Sequence, residues 1–374
     1  MASATVQAIV RGYERPAPPP ILVQGPLAWM RERLFTNPLN IVITLVLAWL
    51  AYKAIAFLAE WAILDAVWRG NSAKACPYGS GACWAYVTSR FHQIFYGGYP
   101  RAESWRVDIV FALGAAALAS FVAPLGRWKM RARLVALIVF PMASGILLVG
   151  GMFGLSYVST HSWGGLMLTL VVASTGILGS MPLGLMLALG RFSELPVIRS
   201  AATAFIEFWR ALPLIAVLFS FVILFPLFTP QGWDVDMLVR TIVCFAVFNS
   251  AYMAEVFRGG LQSVAKGQFE AAKSIGLTWR QMTMYIILPQ AVRNAVPALV
   301  NTSISIFKET SIVLLIGLTD LLGVIQGGTR DPSWLGGPHI LASGYAFAAL
   351  LYFGFTYSMS RYSRRLENRA NVSD

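Results

Sequence analysis

The chain has little charge. Only 12% of its 374 residues are Asp, Glu, Lys or Arg, against about 25% in an ordinary soluble domain. Hydrophobic residues make up 57%, and the mean hydropathy is +0.64. A single large water-soluble core is excluded by that balance. Acids are scarcest, 17 against 29 Lys and Arg, leaving a net charge of +12. Nucleic-acid binding needs such cations as a stripe on a soluble fold. Here they fall in short loops between apolar runs, the pattern that orients membrane spans. Histidine is nearly absent, and His92, His161 and His339 lie far apart. With only three cysteines beside them, no metal-ligand spacing arises. There is no Gly-Lys dipeptide, which removes a Walker A loop, and no HExxH or GxSxG, which removes the common hydrolase signatures. The chain reads as a non-enzyme that binds no metal and no cofactor of its own. Cys244 falls in an apolar run and reads as packing. Cys76 and Cys83 fall in a loop expected outside the cytoplasm, where a disulfide is permitted; two free thiols fit the spacing equally well.

What is present is apolar stretches long enough to cross a bilayer, about 20 residues each. The sequence predicts an all-α polytopic membrane protein with about eight spans: 39–61, 107–126, 134–153, 164–190, 203–228, 237–257, 294–317 and 340–360. Residues 1–35 read as a disordered cytoplasmic tail, proline-rich at Pro16 and Pro18–Pro20. The loop Asp65–Arg106 faces outward, although Arg69, Lys74, Arg90, Arg101 and Arg106 run against the positive-inside pattern. Arg127, Lys129, Arg131 and Arg133 make a basic inner turn, and Arg361, Arg364, Arg365 and Arg369 close the chain on the inside. An even number of spans puts both termini in the cytoplasm. The fourth span is rich in glycine (Gly176, Gly179, Gly184), which suits close helix packing in lipid. Gly317–Pro338 reads as an outer gate region, partly helical.

Between the sixth and seventh spans lies a polar island. Gln268–Ile275 suits a short helix with Phe269, Ala272 and Ile275 along one side. Gly276 stands where a helix end takes a left-handed residue. Thr278, with Gln281 three residues on, makes a capping box for a second helix, and Pro289 suits a first helical turn. Ala271 and Ala272 would let a partner come close. The bland alternative is an amphipathic interfacial loop.

Glu270-Ala271-Ala272-x3-Gly276-x9-Ile286-x-Leu288-Pro289 resembles, without a gap, the cytoplasmic EAA loop of ABC-importer membrane subunits. Ala251–Gly260, Lys266-Gly267-Gln268, Asn301 and Lys308-Glu309-Thr310-Ser311 are similar to the polar-amino-acid permeases in particular, with Glu309 where that family usually has Asp. A narrower resemblance, to the membrane subunits of broad-specificity L-amino-acid importers, rests on Cys76, Gly81-Ala82-Cys83-Trp84 and Tyr99-Pro100. The resemblance implies a five-helix type I importer core over 161–369, with the coupling loop at about 258–290, preceded over 36–160 by three extra spans and a long periplasmic loop. It implies residence in the bacterial inner membrane and import of L-amino acids. The implied partners are ABC ATPase subunits that bind the ATP, a second, similar membrane subunit and a periplasmic amino-acid-binding protein. Coupling to the ATPase would fall on Glu270, Ala271, Ala272, Gly276, Leu288 and Pro289.

Ionisable groups inside spans are costly and usually face a cavity or a partner. Glu207 and Arg210, three apart, suit a mutual pair at the inner boundary. Asn301, Lys308, Glu309, Thr310 and Ser311 are the candidates for a substrate pathway, with Lys308 meeting a carboxylate and Glu309 an ammonium; a Lys308–Glu309 or intersubunit pair is the competing reading. Three other classes compete for the whole chain. A secondary transporter does not explain the Glu270–Pro289 spacing. A membrane enzyme needs a catalytic cluster that is not found, and a sensor would not show ATP-dependent uptake.

Overall fold

The computed structural model describes residues 25–122, 129–230, 232 and 235–371. Residues 1–24, Arg127 and Asp234 lie outside them, so most of the expected tail is not described. The described part of that tail is not disordered chain but a helix, α1 (Pro26–Arg33). Pro26 starts it, at a position where a missing N–H costs nothing.

Two compact units divide at Ala66. The first holds α1 and α2 (Pro38–Leu64). Asn37 caps α2 by accepting the Asn40 N–H at 2.8 Å, and Pro38 opens it. Its last turn, Glu60–Leu64, widens to π geometry.

The second unit, Val67–Asp374, begins with two short helices, α3 (Trp84–Ser89) and α4 (Phe91–Tyr96). Cys76 and Cys83 are joined by a disulfide with Cα atoms 5.9 Å apart. Next come α5 (Ser104–Val122) and α6 (Lys129–Val149), packed on each other. These stand where the second and third spans were expected; among the described residues Ile138–Val149 is a short apolar helix. The full-length candidates are α2, α7 (Gly165–Arg191), α10 (Met237–Gln262), α12 (Trp279–Ile316) and the Ile340–Glu367 part of the last helix. A sixth would be a bent pair, α8 (Pro196–Ala211) with α9 (Leu214–Phe228), which turn by 101° on each other.

That bend corrects the expected straight span over 203–228. Pro213 has no N–H to donate and bars helical geometry from the residue before it. Leu212 is accordingly extended, at φ −96° and ψ 143°. The chain is completed by α11 (Lys266–Ser274), α13 (Leu321–Gly328) and α14 (Ile340–Asn371). No β-strand occurs among the described residues.

Packing centres on α7 against α10, which run parallel. In lipid there is no hydrophobic gain from putting one apolar helix against another, so close backbone approach does the work. Gly176, Gly179 and Gly184 face Phe245, Ala246 and Met253 in register, and a Cβ on Gly184 would stand 2.5 Å from Met253 Cβ and 2.9 Å from the Ser250 carbonyl oxygen. Cys244 is buried in this seam. A second cluster at the opposite end from the 263–278 loop joins Cys76, Tyr86, Ile94, Leu166, Ile325, Trp334 and Ile340. There the Tyr86 hydroxyl donates to the Ile325 carbonyl at 2.7 Å and the Cys83 N–H to Ser343 Oγ at 2.7 Å, tying the disulfide loop to α13 and α14.

Candidate functional site

The polar island folds as helix, elbow, helix. Helix α11 ends in a Schellman motif: Gly276 N–H donates to the Lys273 carbonyl at 3.0 Å and Leu277 N–H to the Ala272 carbonyl at 3.2 Å. Gly276 holds the required left-handed backbone at φ +79°, and a Cβ there would meet nothing within 4 Å. The demand for glycine is thus conformational, not steric. Thr278 and Gln281 form the capping box that opens α12. The helix then runs on without a stop: a π turn at Thr283–Ile287, Pro289 in the next first turn, and on to Ile316. The expected seventh span therefore starts at Trp279 instead of 294. Two side-chain bonds hold the loop to α12, Gln290 Nε2 to Gln268 Oε1 at 3.3 Å and Asn294 Nδ2 to Ser263 Oγ at 2.8 Å.

Of the motif residues, Ala272 is buried in the core and Leu288 is half-buried. Glu270, Ala271, Gly276 and Pro289 are exposed. Ile275 does not lie on the buried side with Ala272 and Phe269; it is 72% exposed. Trp279, Met284 and Tyr285, in the turns that follow the elbow, are exposed as well.

Beside the loop is an ionic knot. Glu255, mostly buried, accepts from Arg191 at 2.6 Å and from Arg258 at 2.6 Å, and Arg210 stands 3.5 Å away. Glu207 is 3.3 Å from Arg191 and 4.0 Å from Arg210. The expected Glu207–Arg210 contact is thus one edge of a five-residue network across the ends of α7, α8 and α10. Arg210 also lies over the Tyr252 ring at 6.0 Å. In the sequence Glu255 stands out only as one residue of the Ala251–Gly260 stretch. The available signal was an acid at the inner end of the expected sixth span, 237–257, with Arg258 just beyond it.

The five pathway candidates do not converge. Asn301 lines a recess of about 230 Å³ with Ser360, Ser363 and Arg364 of α14, and Lys308, Glu309, Thr310 and Ser311 are not among the lining residues. Thr310 is buried and donates to the Phe307 carbonyl; Ser311 donates to the Lys308 carbonyl. Lys308 is exposed and Glu309 half-buried, with no salt bridge to each other or to another described residue. Among the described residues no group of three or more His, Cys, Asp or Glu is arranged to hold a metal ion.

Residues 180–372 match the family described as binding-protein-dependent transport system inner membrane component. The inner membrane amino-acid ABC transporter permease protein YhdY of Escherichia coli K12 is 44% identical over 351 residues, 92% of this chain and 93% of that protein. This chain belongs to the amino-acid ABC-transporter permeases of that family. A second relative of this permease is BztC of Rhodobacter capsulatus, the glutamate/glutamine/aspartate/asparagine transport system permease protein; it is 34% identical over 95% of this chain and 96% of its own length. GlnP of Bacillus subtilis, a probable glutamine ABC transporter permease protein, is 35% identical over 92% of its own length but 55% of this chain. The permease thus carries residues that a shorter relative does without. Permeases of this family are transport subunits and not enzymes; the ATPase is a separate chain. The expected fold class, an all-α polytopic permease, and the expected family agree with these findings.

Proposed function

We propose that this permease imports L-amino acids across the inner membrane, driven through the elbow at Gly276 by an ATPase that binds the ATP. The observation that carries the coupling part is the exposure of Ile275, Trp279, Met284 and Tyr285 at and after a glycine-fixed elbow that keeps Glu270 and Ala271 in the open. Uncovered apolar patches rimmed by polar residues mark protein contacts. The names of YhdY and BztC support amino acids as cargo. On this reading the loop end of the bundle is cytoplasmic, as are both termini. Residues 161–369 form the importer core, residues 36–160 add three spans and a periplasmic loop, and 1–35 is a cytoplasmic tail. A second, similar membrane subunit and a periplasmic binding protein complete the complex. Lys308 and Glu309 of α12, which form no salt bridge with any described residue, are offered to the pathway where the two membrane subunits meet.

The test is co-purification of the ATPase with the tagged chain in mild detergent, together with uptake in cells. Ala271→Asp, on an exposed helical position, is expected to cut both at least tenfold while leaving the permease itself folded. Gly276→Asp is expected to do the same. If the ATPase is still recovered and uptake is unchanged in both variants, the coupling assignment is wrong. Uptake from vesicles without ATP by the chain alone would overturn the whole reading.

A further inference from the structure

At the end of the bundle away from the elbow, the disulfide-bearing segment and the α13–α14 connection enclose a recess of about 320 Å³. Its lining includes Asn71, Arg90, His92, Arg101, Asp331 and Trp334. That volume is at the low end of ligand sites, roughly 300–1,000 Å³, a size for one small metabolite and not for a peptide. Trp334 of the lining packs edge to face on the buried Tyr86 ring, with ring centroids 5.4 Å apart.

The recess is rich in donors. Asp331 is its one acid, and that carboxylate is already engaged by Arg90 and by the N–H and hydroxyl of Ser333. Arg90 donates from its other arm to Gln93 Oε1 at 2.6 Å, yet its Nε is buried without a partner among the described residues, and so is His92 Nε2. Arg101 is exposed and makes no salt bridge with any described residue. A buried unpartnered donor costs about 1–3 kcal/mol; Arg90 Nε is one, and His92 Nε2 is a second in the tautomer that carries its proton there, so the recess suits a ligand that accepts. Burial and the charge of Arg101 hold the His92 imidazole below its ordinary range, against the pull of Asp108, so the positive charge of the recess comes from the arginines.

We infer that this recess binds the carboxylate of a free small acid, such as an amino acid, with Arg101 as the main cation and Arg90 Nε and His92 as further contacts. Arg–carboxylate pairs are the strong, geometrically selective class of hydrogen bond. The inference rests on the proposed function only for placing the recess on the outer side of the membrane. The site itself is independent of the coupling loop.

The test uses the whole complex in nanodiscs, where both faces are accessible. Cys76 and Cys83 are bonded to each other and Cys244 is buried, so Asn71→Cys adds the one readily reactive thiol among the described residues, at the rim. Its rate of labelling by a charged maleimide is measured on this chain with L-glutamate, glutarate or methylammonium present. L-Glutamate and glutarate are expected to slow labelling at least threefold, methylammonium not at all, and Arg101→Glu is expected to abolish the protection. Glu309→Gln should leave it intact, which separates this site from the proposed pathway. Equal labelling under all conditions overturns the site, as does protection by methylammonium alone. Protection only on adding the binding protein would assign the recess to a protein-borne carboxylate and would also overturn it. Sidedness is read separately from labelling of intact spheroplasts, so an error there does not count against the site.

Discussion

Asp320 shows at the scale of one residue what burial without a counter-charge does. It is fully buried in front of α13; Oδ1 caps the helix by accepting the Gly323 N–H at 2.9 Å, and Oδ2 has no hydrogen-bond partner. Burial pushes its carboxyl up to about 7, with the backbone N–H groups of Gly323 and Leu322 opposing. The ordinary value in an unfolded chain is about 3.9. The folded form therefore holds the proton more tightly, and the stability gained is fully present below about pH 4 and lost as pH rises through about 7. The melting temperature of the complex is expected to fall between pH 5 and pH 8. Asp320→Asn keeps the cap, since Asn serves equally well there, and removes the titration, so the slope should flatten. An unchanged slope would assign the pH dependence to other groups.

Single residues also show what a sequence can display. Gly276, Thr278 and Gln281 announced their turn because each supplies a backbone service that few residues can supply. Glu255 did not announce its knot, because Arg191, Glu207 and Arg210 reach it only after α7, α8 and α10 have packed. Asp320, for its part, looked like any loop acid until α13 and α7 closed over it. The recess around Arg101 was equally hidden: its lining comes from stretches more than 200 residues apart in sequence.

Elements fared differently according to what fixes them. Apolar length alone sufficed for α2, α7, α10 and α14. It failed at 203–228, where apolar length continues through Pro213 but helical geometry does not. It also failed at Trp279, where the polar first turns of α12 gave no sign that they belong to the same helix as the apolar ones. The α7–α10 seam gives a prediction at this scale. Gly184→Ala places a methyl 2.5 Å from Met253 Cβ and 2.9 Å from a backbone carbonyl that cannot retreat. The expected cost is about 1–3 kcal/mol, seen as a lower melting temperature in detergent and lower yield. Ala in place of Gly354, which has nothing within 4 Å, should be neutral or slightly stabilising. Equal losses at the two sites would mean that the close approach is not what holds the seam.

Within the Val67–Asp374 unit, two of the five cations that run against the positive-inside pattern are engaged by the fold. Arg106 is buried and bonded to Ser156 and Glu103, and Arg90 is bonded to Gln93 and Asp331. These two serve folding, not orientation. The loop closed by Cys76 and Cys83 spans seven positions, for which a cross-link contributes roughly 2 kcal/mol. Cys76→Ser/Cys83→Ser is expected to remove about that much and to expose residues 67–103 to limited proteolysis, while ATPase co-purification stays intact. Loss of the ATPase in that variant would show that the two ends of the bundle are not independent in stability.

Helix α12 has 38 residues from Trp279 to Ile316. At 1.5 Å per residue that is about 57 Å, nearly twice the roughly 30 Å of hydrocarbon it crosses. Its lower turns are the second arm of the elbow, and its upper turns carry Lys308 and Glu309. On the proposed coupling, a displacement at Trp279 travels to those side chains along one helix, which can give at the widened turn Thr283–Ile287 and at Pro297 within it. Give at those two places then sets how much of the motion at the elbow reaches Lys308 and Glu309.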